Sequence, residues 1–152
     1  MRTIVPKKST SHPSSITVGY DSFLKSVKLI AVALDKAVAE IDRDLYWENA
    51  KDRVREIGAS YESANVKKDH FDVIARIEVK ITKKGEKTNV LEINCRYSAH
   101  FHSGVGCSPE TASKFAHSEA KIILWPYFRA LVSDLTARMH IPPVIIPLTL
   151  ED

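Results

Sequence analysis

The sequence predicts an α+β fold in which an antiparallel sheet comes first and one long helix closes the chain. Three observations carry this. From Asp72 to Thr82, Val73, Ala75, Ile77, Val79 and Ile81 alternate with Arg76, Glu78 and Lys80, the period-2 signature of a half-buried strand. Lys83-Lys84-Gly85-Glu86 then supplies a hairpin turn. The return strand, Asn89 to Phe101, sets Leu91, Ile93, Cys95, Tyr97, Ala99 and Phe101 on one face and Glu92, Asn94, Arg96, Ser98 and His100 on the other. Third, Leu124, Phe128, Leu131, Leu135 and Met139 recur at steps of three or four, which is helical spacing. Strands followed by a helix argue against a parallel, doubly wound sheet.

Size and composition bound the rest. A chain of 152 residues fits one domain and can bury about 68–70% of its unfolded surface. Hydrophobic content of 44% with 27% charged residues is that of an ordinary soluble globular protein. No apolar run approaches the ~18 residues that span a bilayer, and the N-terminus lacks a secretory apolar core, so membrane insertion is not expected and a cytoplasmic location is. The two cysteines, Cys95 and Cys107, read as reduced thiols rather than a disulfide framework. Net charge is only +3, and the pairs Lys7-Lys8, Lys67-Lys68 and Lys83-Lys84 carry no interleaved aromatic residues. They read as solvated turns, not as a nucleic-acid patch.

Taken in order, residues 1–16 mix Ser, Thr, Pro and Lys without apolar periodicity and read as a mobile arm, followed by a single domain over 17–152. Tyr20 to Leu24 fits a short turn of helix opened by Asp21. From Val27 to Ile41 two readings compete. Phe23, Val27, Ile30, Leu34, Val38 and Ile41 fit helical spacing, whereas Ile30, Val32 and Leu34 would share one face of a strand; periodicity alone leans to helix. Asp42 to Asp52 reads as a polar connection in which Tyr46 and Trp47 anchor the loop. Val54 to Val66 holds a weaker strand with Ile57, Ala59 and Tyr61 alternating. Ser108-Pro109-Glu110 starts the helix well: a hydroxyl cap, proline at the first position and an acid at the positive end of the dipole.

The helix carries more apolar surface than one small sheet needs. Ile123, Tyr127 and Leu131 widen the stripe, which predicts a second packing partner for that flank. Pro126 inside the pattern predicts a kink. Pro142, Pro143 and Pro147 end any helix and leave Val144-Ile145-Ile146 as an extended apolar tail.

Chemistry is sparse. His100 and His102 at i, i+2 would point to the same side of a strand, with Cys107 five residues on, but no fourth ligand stands at a recognisable spacing, so no metal is expected. No G-x-S-x-G elbow occurs, and Gly104 and Gly106 follow no phosphate-loop pattern. Glu110 and His117 share a helical face as a solvated flank, not an acid–base pair. An enzyme is not expected, nor is any cofactor.

The C-terminal half resembles the SecB family of protein-export chaperones. The residues that carry the likeness are Leu124-Trp125-Pro126-Tyr127-Phe128-Arg129, Arg138 before Ile141-Pro142, and Ile145-Ile146-Pro147-Leu148, with the Gly85-Glu86-Lys87-Thr88 hairpin and its return strand. From Asp72 to Leu150 the likeness is direct, and from Tyr20 to Val66 it is topological. It implies a four-stranded antiparallel sheet with Val27–Leu34 as its first strand, overriding the helical reading, and assembly as a dimer of dimers. Ile123, Tyr127, Leu131 and Leu135 would then pack between subunits. It further implies a groove for unfolded or precursor polypeptides, with Tyr46, Trp47, Phe101, Trp125, Phe128, Val144 and Ile146 as client-contact candidates, several of them equally suited to the core. The function implied is an ATP-independent holdase, in protein export or as the dedicated chaperone of a toxin–antitoxin system; a non-chaperone adaptor subunit is the alternative. The family's export members are acidic, whereas this chain is mildly basic, sets Asn94 and Arg96 beside Glu92 on the outer sheet face, and shows no second helix after the tail. These departures count against docking of a SecA-type motor.

Overall fold

The computed structural model describes residues 19–48 and 51–149, so the arm expected over 1–16 lies outside the described residues. The order is α1 (Tyr20–Ser26), β1 (Val27–Ile41), α2 (Arg43–Glu48), β2 (Arg53–Ala64), β3 (His70–Lys83), β4 (Asn89–Ser103) and α3 (Pro109–Arg138). The four strands form one antiparallel sheet in the order β1-β4-β3-β2. The hairpin β3–β4 is therefore central, and the chain between β1 and β2 must cross from one sheet edge to the other.

The alternation read from the central strands is the alternation found. Phe71, Val73, Ala75, Ile77, Val79 and Ile81 on β3, and Leu91, Ile93, Cys95, Tyr97, Ala99 and Phe101 on β4, are all buried beneath α3. Gly85 turns the hairpin at φ +80°, a left-handed conformation that costs glycine nothing.

The first strand that the family likeness implies over Val27–Leu34 is found, against the lean of periodicity to helix, and it runs on to Ile41. The cause of the ambiguity is visible in the register. Leu29 faces Phe101 but Ala31 faces His100, and Leu34 faces Tyr97 but Lys36 faces Arg96, so Ile30 and Asp35 are extra residues at two bulges. Each bulge inserts one residue into the two-residue alternation, so the helix-side residues Val27, Leu29, Val32, Leu34, Ala37 and Ala39 come at steps of two and three. That mixture imitates a helix. The segment after β1 is corrected from a plain connection to one that contains α2, which Asp42 caps by accepting from the Leu45 amide at 3.0 Å.

Helix α3 begins as the sequence proposes. The Ser108 hydroxyl accepts from the Thr111 amide at 3.1 Å, with Pro109 following it. One helix then runs through Pro126 to Arg138. Its buried stripe is Ala112, Phe115, Ala116, Ala120, Leu124, Trp125, Phe128, Val132 and Thr136. Leu124 and Phe128 belong to it, whereas Leu131, Leu135 and Met139 stand at its margin. The helix stops in a Schellman turn: the Ile141 amide reaches the Thr136 carbonyl at 3.3 Å and the His140 amide reaches Ala137 at 3.0 Å, with His140 at φ +54° and Ile141 buried.

Candidate functional site

Helix α3 covers β2, β3 and β4, and the chain beyond it folds back along β2. Side chains hold this tail by its carbonyls. Trp125 donates its indole N–H to Pro147 at 2.8 Å, Arg129 donates to Ile146 at 3.2 Å, and Arg55 donates to Ile145. Arg43, from α2, donates to Met139 at 2.7 Å, tying the crossover to the end of α3. Such an arrangement supplies the hydrogen bonds that an extended apolar segment without strand partners requires.

Between tail, crossover and sheet lies a groove of about 230 Å³. Its lining comes from Tyr46 on α2, Arg53 and Arg55 on β2, Ile81 on β3, and Pro142 to Ile145 in the tail. Tyr46 is buried; Trp47 meets it edge-on, with centroids 5.5 Å apart, and is itself 55% exposed. Arg53 lies over the Tyr46 ring at 4.0 Å from its centroid. Ile145 and Leu148 stand 77% and 76% exposed along the tail. The groove is thus apolar in its walls and cationic on one side.

The candidate client residues divide. Trp47 is exposed, Tyr46 and Val144 line the groove, and Val144 is partly buried. Phe101 and Phe128 have no exposed surface, and Trp125 and Ile146 are buried. Phe101 stacks on Phe71 at 5.3 Å and meets Phe115 edge-on at 4.9 Å, an aromatic core position. Trp125 and Ile146 reach the groove only indirectly, by holding the tail. Reading the sequence alone missed Arg53, Arg55, Ile145 and Leu148. The signal for the arginines was present in their alternation with Ile57 on the helix-side face of β2.

The second flank of α3 remains open. Tyr127 is 42% exposed, and Ile123, Leu131 and Leu135 are partly buried. Beside it, Tyr97 donates its hydroxyl to the Tyr127 carbonyl at 3.2 Å, and Tyr97 faces Leu34 across β4 and β1. Leu29 and Leu34, on the helix-side face of edge strand β1, are exposed. An apolar strip therefore runs from β1 onto the helix flank.

Elsewhere the chemistry is quiet. Burial pushes the Cys95 thiol up to about 11 and raises Cys107 as well, so neither is an activated nucleophile. His100 bonds Asp72 at 2.6 Å and His70 bonds Asp69 at 2.7 Å, and no three donors converge as a metal site among the described residues. A larger concavity, about 530 Å³, lies on the opposite face of the sheet. Three of its charged residues are paired with neighbours beside it: Arg76 with Glu62 at 2.6 Å, Glu78 with Lys80 at 3.1 Å, and Arg96 with Asp35 at 3.6 Å. No helix among the described residues is long and apolar enough to cross a membrane.

Fold and groove together define a class of protein: a four-stranded sheet covered by one long helix, with large apolar side chains left exposed. Residues 44–148 match the family model of preprotein translocase subunit SecB, and the chain belongs to this family of chaperones, which is not a family of enzymes. The fold is similar to that of Mycobacterium tuberculosis Rv1957, a SecB-like chaperone solved in complex with a ChAD peptide from the Rv1956 HigA1 antitoxin. The TM-score is 0.73 at 16% identity, covering 88% of this chain and 97% of that one. A Streptococcus agalactiae protein of unknown function shares the fold at a TM-score of 0.50 and 13% identity, over 80% of this chain and 96% of that one. A curated relative, the uncharacterized protein MJ0357 of Methanocaldococcus jannaschii, is 53% identical over 34 residues; the matched stretch spans only 22% of either chain.

Proposed function

We propose that this SecB-like chaperone acts as an ATP-independent holdase, capturing exposed apolar segments of unfolded or precursor polypeptides in the groove between α2, β2 and the tail. The observation that carries the reading is the exposure of Trp47, Ile145 and Leu148 around that groove, large apolar side chains that a monomeric surface rarely groups. Tyr46 and Val144 supply its wall. Covering apolar area releases about 25 cal/mol per Å², so capture of this kind needs no nucleotide. Phe101 and Phe128 act as core that shapes the scaffold; Trp125 and Ile146 act by seating the tail.

Self-assembly follows from the second strip. Ile123, Tyr127, Leu131 and Leu135, with Leu29 and Leu34 of β1, form the surface through which copies associate, in keeping with a dimer of dimers. The location is cytoplasmic, where unfolded precursors arise. No observation on the outer face favours a SecA-type motor, since its central row holds Lys36, Arg96 and Arg76. The fold likeness to a chaperone solved with an antitoxin peptide favours a second reading, a holdase dedicated to one client of a toxin–antitoxin pair.

The test is suppression of aggregation of a chemically unfolded protein. Protection at near-stoichiometric ratio, lost in Trp47→Ala/Leu148→Ala, is expected. Absence of protection at several-fold excess overturns the reading and leaves an adaptor subunit.

A further inference from the structure

The groove has a chemical bias beyond its apolar walls. Four guanidinium groups surround tail and groove: Arg43, Arg53, Arg55 and Arg129. Each engages a backbone carbonyl or an aromatic face, at Met139, Tyr46, Ile145 and Ile146 respectively. None of the four has a carboxylate partner among the described residues, whereas Arg76, Arg96 and Arg138 all do. Glu48 and Asp52 of the crossover act on Lys83, the register neighbour of Arg53, but neither forms an ion pair with any of the four arginines and neither lines the groove. Among the described residues no acidic side chain lines the groove.

A guanidinium carries its charge at any physiological pH and retains unused donors after one bond to a carbonyl. When an apolar segment covers the groove, Arg53 and Arg55 lose water on their open side. A client lysine or arginine placed there adds repulsion between like charges. A client aspartate or glutamate instead accepts a charge-assisted pair of hydrogen bonds, the geometry for which arginine is suited. From this unbalanced charge, and resting on the holdase reading above, we propose that the groove selects apolar segments that carry acidic side chains, with Arg53 and Arg55 as its specificity-determining residues. A polypeptide is favoured over a nucleic acid because the rest of the lining is Tyr46, Ile81, Val144, Ile145 and two prolines. That lining suits aliphatic and aromatic side chains, not a phosphate backbone.

Three fluorescent peptides test this on the unmodified full chain. They share one apolar core and differ only in flanking glutamate, glutamine or lysine, and binding is followed by anisotropy. The glutamate peptide is expected to bind about fivefold more tightly than the glutamine peptide, and the lysine peptide less tightly than both. The spread is expected to narrow at 0.5 M salt as screening grows. Arg53→Glu/Arg55→Glu is expected to reverse the order. Equal affinity for all three, or a preference for lysine, overturns the charge selection while leaving the holdase reading intact. No binding of any peptide defeats the holdase reading itself. Displacement of the glutamate peptide by an equimolar thymidine oligonucleotide overturns the assignment to polypeptide.

Discussion

Trp125 donates its indole N–H to the Pro147 carbonyl at 2.8 Å, a bond that ties the middle of the long helix to a tail residue twenty-two positions later. This gives the tryptophan of the LWPYFR stretch a mechanical role. It is buried, its ring packs 5.3 Å from Phe128, and its one polar atom is spent on the tail.

Trp125→Phe keeps an aromatic ring but loses that donor and some volume. We expect a loss of about 1–3 kcal/mol, the sum of a hydrogen bond and a small cavity. Faster proteolytic cleavage within residues 142–149 should accompany it. An unchanged cleavage rate there would mean that the arginines alone hold the tail.

Tyr61 is the converse case. Its ring is buried on β2, its hydroxyl has no partner among the described residues, and burial followed by the field of Cys95 pushes it up to about 12. An unsatisfied buried hydroxyl costs about 1–3 kcal/mol. Tyr61→Phe is therefore expected to leave stability unchanged or to raise it by about 1 kcal/mol, read from the urea midpoint. A large loss would reveal a partner for the hydroxyl in the assembled protein.

His140 closes the helix from a left-handed conformation, φ +54°, that favours glycine. His140→Gly is expected to stabilise the chain by up to about 1 kcal/mol, because relief of the left-handed penalty exceeds the added freedom of the unfolded glycine. Thermal unfolding checks it. A lower melting temperature would show that the imidazole does more than occupy the cap.

Asp72 gives the acid dependence. Burial works to raise its pKa, but hydrogen bonds from Asn65 at 2.7 Å and His100 at 2.6 Å, with the nearby histidine charges, outweigh it and leave the carboxyl below its ordinary value. A folded pKa below the unfolded one adds stability that is fully present above the unfolded pKa, about 3.9, and disappears as pH falls through the folded value. The stability gap between the natural chain and Asp72→Asn should therefore shrink as pH falls below about 4 and the carboxyl takes up its proton. Urea melts from pH 5 to pH 2 decide it. A gap undiminished over that range would refute the assignment.

How much of this was legible follows residue by residue. The β3–β4 hairpin was plain because its buried and exposed positions alternate without interruption and Gly85 marks the turn. Strand β1 was not, because the extra residues Ile30 and Asp35 break its alternation into steps that a helix also satisfies. Helix α2 escaped notice because six residues are too few for periodicity; its only herald was Asp42, whose side chain caps it. The site was harder still. Aromatic residues suit a core and a peptide groove for the same reason, their large apolar faces, so Phe101 and Trp47 look alike in sequence. Only the sheet register separates them, placing Phe101 between Leu29 and Phe71 in the central strands and Trp47 on a crossover at the rim.

The way the tail is fastened has a consequence for its side chains. Trp125, Arg129, Arg55 and Arg43 all grasp carbonyl oxygens, which every amino acid possesses. The moorings are thus indifferent to which side chains the moored segment bears. Ile145 and Leu148, whose side chains stand exposed, can therefore be exchanged without unfastening the segment that bears them.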